Sequence, residues 1–190
     1  MKLLIAGDSF TADWSVKYPN AVGWPNMLAS KYHVQNIAQA GVSEYKILKQ
    51  LESVNLCNFD AVIISHTSFS RVHTKKHPYL FSDVLHKNCD LILSDLNHKK
   101  HFNDSAHTGY NYFKYHFDEN YYEDIYNLLR DKIELLIKDI KIYLPINNFQ
   151  PRSYDISYKH LFQSYKGAVN HFNQEGNNII FKDVLNYLRS

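Results

Sequence analysis

The sequence predicts an α/β fold of three layers, a parallel sheet between helices, with a helical insertion in the middle third. Three observations predict it. Short, nearly continuous apolar runs at residues 3–6 (LLIA) and 60–65 (DAVIIS) read as strands covered on both faces. Amphipathic segments separate the runs, so the first third alternates strand, helix, strand, helix, strand, the order of right-handed βαβ units. Each predicted strand also ends in small or polar residues, as expected where ligands gather beyond the carboxyl ends of parallel strands.

The elements follow in order. After the strand at 3–6, residues 23–32 (GWPNMLASKY) carry Pro25 in the first turn and Trp24, Met27 and Leu28 on one helical face. Residues 34–38 read as a second strand. Residues 43–54 place Tyr45, Ile47, Leu48 and Leu51 at mostly helical spacing, ahead of the third strand at 60–65. Residues 82–96 form an amphipathic stretch, and the rings of 109–117 (GYNYFKYHF) are expected to pack a core or cap. Residues 121–140 carry the strongest helical pattern, with Ile125, Leu128, Leu129, Ile133, Leu136 and Ile137 facing inward. Residues 141–146 (KIYLPI) predict a fourth strand, and 147–169 an irregular stretch rich in tyrosine. A last helix spans 174–188, with Asn173 as N-cap and Ile179, Ile180, Val184 and Leu188 inward. No repeat, low-complexity segment or linker interrupts the chain, so residues 1–190 are expected to form one domain.

Composition narrows the function. With 190 residues, 45% of them hydrophobic, the chain can bury a sizeable core. A net charge of +2, with basic pairs only at Lys75-Lys76 and Lys99-Lys100, argues against nucleic acid or an anionic membrane as partner. Cys57 and Cys89 form neither a metal pair nor a disulfide framework and read as buried free thiols. The first apolar run is too short for a signal peptide and meets Asp8 directly. No window approaches the roughly 20 apolar residues of a membrane span, so a cytoplasmic location is expected.

Four loops carry the candidate chemistry: Gly7-Asp8-Ser9, Gln39-Ala40-Gly41, Ser65-His66-Thr67-Ser68 and, before the last helix, Asn170-His171. Each also has a plainer reading. Asp8 and Ser9 can cap a turn, Gly41 can supply a positive φ, and His171 can be a surface residue near a helix start. Taken together, Gly-Asp-Ser after the first strand, Asn36 and Gly41 in NIAQAG, and His171 before the C-terminal helix resemble the SGNH hydrolases, the GDSL-type esterases and lipases. The resemblance covers residues 3–68 and 167–189; residues 69–166 add little to it. It implies a flavodoxin-like three-layer fold, Ser9 as nucleophile and His171 as base. It also implies an oxyanion site of the Ser9 and Gly41 N–H groups plus a side chain after the third strand.

Two departures accompany it. Where the family has Gly-x-Asn-Asp this chain has SHTSFSRV. Ser68 is therefore the nearest stand-in for the third oxyanion donor, with His66 and Thr67 competing. The family's acid position, three before the histidine, is Ala168, and Asn170 supplies no carboxylate. A Ser–His dyad is thus expected, oriented by a backbone carbonyl or by a remote acid such as Asp155 or Asp83, with Asp8 and Asn170 in support. His66, Thr67 and Arg71 are expected to line the substrate pocket, joined by His73 and His77. The histidines at 66, 73, 77, 86, 98, 101 and 107 match no compact ligand motif, so no metal or other cofactor is expected.

The function that the resemblance implies is a serine esterase that removes an O-acyl group, acetyl included, from a small or, by analogy within the family, carbohydrate-linked substrate. An impaired relative that binds a polar ligand in the same cleft is the alternative. An unrelated flavodoxin-like interaction module is the third reading, and there Ser9 and His171 do not converge.

Overall fold

The computed structural model describes residues 1–80, 82–96 and 104–190. The expected His98 and His101 lie outside the described residues. In chain order the elements are β1 (Lys2–Gly7), α1 (Trp24–Ala29), β2 (His33–Asn36), α2 (Glu44–Glu52), β3 (Ala61–His66), α3 (Leu93–Leu96), α4 (Asp104–Tyr115), α5 (Glu119–Ile137), β4 (Ile142–Asn147), β5 (Lys166–Val169) and α6 (Gln174–Tyr187). Strands β2, β1, β3 and β4 lie side by side in that order, and every pairing is parallel.

Alternation along the strands sorts the core into two faces. Leu3 and Ile5 of β1, with Ala61 and Ile63 of β3, pack against Trp24 and Leu28 of α1 and Ile180 and Val184 of α6. Leu4, Ala6, Val62 and Ile64 point the other way, onto Ile47, Leu48 and Leu51 of α2 and Ile133 and Ile137 of α5. Both faces are covered, which is why the strand sequences are continuous apolar runs rather than alternating ones. This is the three-layer α/β/α arrangement expected of the sequence.

The differences have local causes. Leu128 and Leu136, expected inward, are 64% and 39% exposed. The buried stripe of α5 is instead Tyr126, Arg130, Ile133 and Ile137, because Arg130 takes a core position to pair with Asp155. Tyr45 is also exposed, as is Cys57; only Cys89 is a buried thiol. The amphipathic stretch at 82–96 is mostly turns, helical only over Leu93–Leu96. There Asp83 Oδ1 accepts from the Leu85 and His86 N–H groups, and this local bond competes with a helix. The stretch 109–117 falls largely within α4, whose buried residues are the small Ala106 and Gly109. That helix leaves no apolar stripe to read.

Candidate active site

Strand β1 ends where its backbone demands glycine. Gly7 has φ +130°, and a Cβ there would lie 2.4 Å from the Ser65 carbonyl oxygen. The Gln50 side-chain amide seals this strand end, accepting from Gly7 N–H (2.8 Å) and donating to Gly7 O (3.2 Å). The next residues form a turn, with Thr11 and Ala12 N–H both donating to Asp8 O. Asp8 does the capping: its Oδ1 accepts from Phe10 N–H (3.0 Å) and from the Ser65 hydroxyl (2.9 Å). Complete burial outweighs those two bonds and pushes the Asp8 carboxyl up to about 7. Ser9 is thus relieved of the capping role that its sequence context offered.

The Ser9 side chain meets His171. His171 Nε2 lies 2.7 Å from Ser9 Oγ, across 162 residues of sequence. The histidine is presented by a tight hairpin in which β5 folds back on Phe172. Asn170 (φ 49°) and His171 (φ 66°) both occupy the left-handed region, a costly conformation for side-chain-bearing residues that recurs at functional sites. Ring packing holds the imidazole: Phe10 tilts against it at 4.5 Å between centroids, and Trp14 approaches edge-on at 6.0 Å.

A set of amides and indoles fastens the two loops together. Trp14 Nε1 donates to Ser9 O (3.0 Å), and Asn170 Nδ2 donates to both Ser9 O (3.3 Å) and Ala12 O (3.0 Å). Trp24 Nε1 donates to Phe10 O (3.0 Å). Asn177, in the first turns of α6, accepts from Trp24 N–H and donates to the carbonyls of Val169, Phe172 and Asn173. Asn36 Nδ2 donates to Thr11 O (2.8 Å), tying the end of β2 to the same turn. Sequence reasoning missed Gln50, Trp14 and Asn177. Asn177 had a signal, a lone amide on the face that α6 turns inward with Ile180 and Val184; Gln50 had none.

Gly41 follows β2 at φ +74°, and a Cβ there would strike Cys89 Sγ at 2.3 Å. The loop is pinned from outside. Arg71 Nη1 donates to Gly41 O (3.1 Å) and Asp90 O (3.3 Å), while the buried Asp90 carboxylate accepts from Ser43 N–H (2.8 Å) and Thr74 N–H (2.7 Å). Gln39 N–H donates to Gly7 O (3.0 Å), so this loop starts beside the end of β1. Among the described residues neither Ser9 N–H nor Gly41 N–H has a protein acceptor.

The rim of β3 differs from the expectation. His66 is fully buried, and both its nitrogens are engaged, Nδ1 with Glu44 (2.6 Å) and Nε2 with the Tyr143 hydroxyl (2.9 Å). Thr67 is fully buried too, its N–H directed to Glu44 (3.3 Å). Neither presents a side chain to a substrate, which corrects their assignment to the pocket. Ser68 closes its own turn, its Oγ sharing a hydrogen bond with Ser70 Oγ (2.7 Å) and accepting from Ser70 N–H (3.3 Å). The remote acids are likewise engaged elsewhere. Asp155 forms a bidentate pair with Arg130, and Asp83 bonds Lys17 and His86. Among the described residues no carboxylate lies within ion-pair reach of His171. Burial, with the charges of Arg71 and His86, lowers its pKa to about 4.

One trio has metal-like composition: single ligand atoms of His77, Cys89 and Asp95 lie within 4.8 Å of one another. Its hydrogen bonding does not suit a metal. His77 Nδ1 accepts from both Tyr79 and Leu80 N–H, which puts the proton of the neutral ring on Nε2, the atom that faces Asp95 at 3.6 Å. Burial also pushes the Cys89 thiol up to about 11. No described helix is long and apolar enough to cross a membrane.

No family model and no curated protein matches the chain. Solved structures similar to it include the following two. One is a "putative acylhydrolase" from Bacteroides fragilis NCTC 9343, at 12% identity and TM-score 0.43, covering 99% of this chain and 86% of that one. The other is a "putative lipolytic protein of G-D-S-L family" from Desulfitobacterium hafniense DCB-2, at 14% identity and TM-score 0.40, covering 98% of each. At these identities and scores neither likeness assigns the chain a family or an activity.

Proposed function

We propose that the chain is a serine ester hydrolase of the SGNH type, working through a Ser9–His171 dyad on an O-acyl ester of a small or carbohydrate-linked substrate. The observation that carries this reading is the 2.7 Å contact between His171 Nε2 and Ser9 Oγ. Two loops at opposite ends of the sequence supply it, and one of them holds two residues at positive φ. A capping serine or a surface histidine needs none of this. The same reading places residues 1–190 in one domain and the protein in the cytoplasm.

The chemistry runs from the neutral imidazole. With Nε2 accepting from Ser9, the ring proton sits on Nδ1. Ser9 Oγ attacks the ester carbonyl as its proton passes to Nε2, and the carbonyl oxygen becomes an oxyanion facing the free N–H groups of Ser9 and Gly41. Collapse expels the alcohol, which takes the proton from Nε2 and leaves an acyl group on Ser9. Water then gives a proton to Nε2 and its oxygen attacks the acyl carbon. The second collapse returns the proton to Ser9 Oγ and releases the carboxylic acid. No carboxylate steadies the imidazolium in either half, and the Arg71 charge opposes it. His171 is therefore a weak base that stays unprotonated well into acid. Arg71 acts here as a positioning residue, fixing Gly41 through its carbonyl.

Hydrolysis of p-nitrophenyl acetate tests the reading. Wild type turns over, and Ser9→Ala and His171→Ala each lose about 10³-fold or more in kcat/KM. Equal turnover by wild type and Ser9→Ala removes Ser9 from the mechanism. A second reading, a ligand-binding relative without turnover, is favoured by the lack of a carboxylate beside His171 among the described residues. It predicts no hydrolysis by wild type.

A further inference from the structure

We propose that the alcohol half of the ester is a ring-bearing alcohol carrying a negative charge, and that it lies in the groove on the His171 side of the dyad. The inference rests on the hydrolase reading above and adds the substrate class. Its first step is chemical. The leaving oxygen must take its proton from His171 Nε2, so the alcohol departs along the histidine's flank, not along the Gly41 loop.

On that flank lies an open groove of about 480 Å³, lined by Phe10, Phe162, Gln163, Lys166, Gly167 and His171. Its lining is aromatic. Phe162 stacks on Phe172 at 4.9 Å and 9°, and Phe10 tilts against Phe162 at 5.4 Å. Such a lining takes the face of a ring or an apolar group.

Lys166 supplies the charge. It is the only lining residue besides His171 with an ionisable side chain, and it is exposed. Among the described residues its amine has no carboxylate partner. Its place is set by the hairpin that presents His171: Lys166 bridges to Phe172, and Gly167 N–H donates to His171 O (3.3 Å). An anionic alcohol is therefore drawn to this side, and a cationic one is repelled.

Paired esters that differ only in charge test this: 4-acetoxybenzoate and its neutral amide, 4-acetoxybenzamide. Each enzymatic kcat/KM is divided by that ester's uncatalysed hydrolysis rate. The expected result for wild type is a preference of about threefold to fivefold for the anion, the size of an exposed ion pair, shrinking as salt is raised. Lys166→Ala abolishes the preference and Lys166→Glu reverses it. A ratio at or below one in wild type, or a ratio that Lys166→Ala does not change, overturns the proposal while leaving the hydrolase reading intact. If wild type hydrolyses neither ester, the hydrolase reading fails, and the groove is judged by binding. Calorimetric titration of Ser9→Ala with 4-hydroxybenzoate and with 4-hydroxybenzamide then decides. Tighter binding of the anion, lost when Lys166→Ala is added, supports the groove; equal binding or none overturns it.

Discussion

The carboxyl ends of β1 and β3 lie side by side in the sheet, Gly7 opposite Ser65, yet they treat their polar residues in opposite ways. At the end of β1, apart from Asp8 accepting from the Ser65 hydroxyl, amides and indoles bond backbone carbonyls, and the Ser9 hydroxyl is left for His171. At the end of β3, side chains bond each other. Glu44 holds His66, His66 holds Tyr143, and nearby Arg130 holds Asp155 with Tyr126 and Asn147 alongside. Polar residues at a strand end are therefore not evidence of a site in themselves. What separates the two rims is whether the reactive atoms are satisfied by each other in the dry interior or held ready by a satisfied backbone. The first arrangement fixes packing, and the second can do chemistry.

That contrast can be broken from either side. The largest effect on stability falls on the β3 and β4 side. Asp155→Ala takes away the bidentate partner of Arg130, whose side chain is 0% exposed, leaving Glu134 at 3.8 Å, and costs about 3–5 kcal/mol of unfolding free energy. Urea denaturation reads the loss; a change under 1 kcal/mol would show that the pair is not structural. On the β1 side, Asn170→Asp replaces a donor that serves two carbonyls with an oxygen that repels them. It costs about 1–3 kcal/mol and lowers kcat through displacement of Ser9 and His171, whereas a merely structural asparagine would lower stability alone.

A smaller effect sharpens the comparison through pH. The imidazole works as a base only when neutral, and its pKa is lowered to about 4 by burial and by Arg71 and His86. Protonation on the way down in pH thus removes activity late. kcat/KM is expected to rise through a midpoint near pH 4 and to be level by pH 6. A midpoint at the ordinary histidine value of 6.5 would mean that a carboxylate partner supports the ring after all.

How much of this was legible follows the same divide. β1, α2, β3 and α6 could be read because short-range pattern encodes them: apolar runs, helical spacing, a glycine at a strand end and an N-cap at Asn173. The Ser9 and His171 loops were singled out only by the family resemblance. The β3 rim was misread because its chemistry is tertiary. His66 is silenced by Glu44, 22 residues earlier, and by Tyr143, 77 residues later, and no local pattern reports either contact. Arg130 hides in the same way, a charged residue at a core position of α5 that only Asp155 explains. Helix α4 escaped because its buried side is made of Ala106 and Gly109, which give no hydrophobic period.

The central claim, that His171 makes Ser9 the nucleophile, is tested most directly by covalent labelling. The protein is incubated with an alkyl fluorophosphonate, digested and mapped by mass spectrometry. The account predicts a single adduct, on the Ser9 hydroxyl, whose formation slows sharply in His171→Ala and disappears in Ser9→Ala. An unlabelled wild type, or an adduct that survives Ser9→Ala, would contradict it.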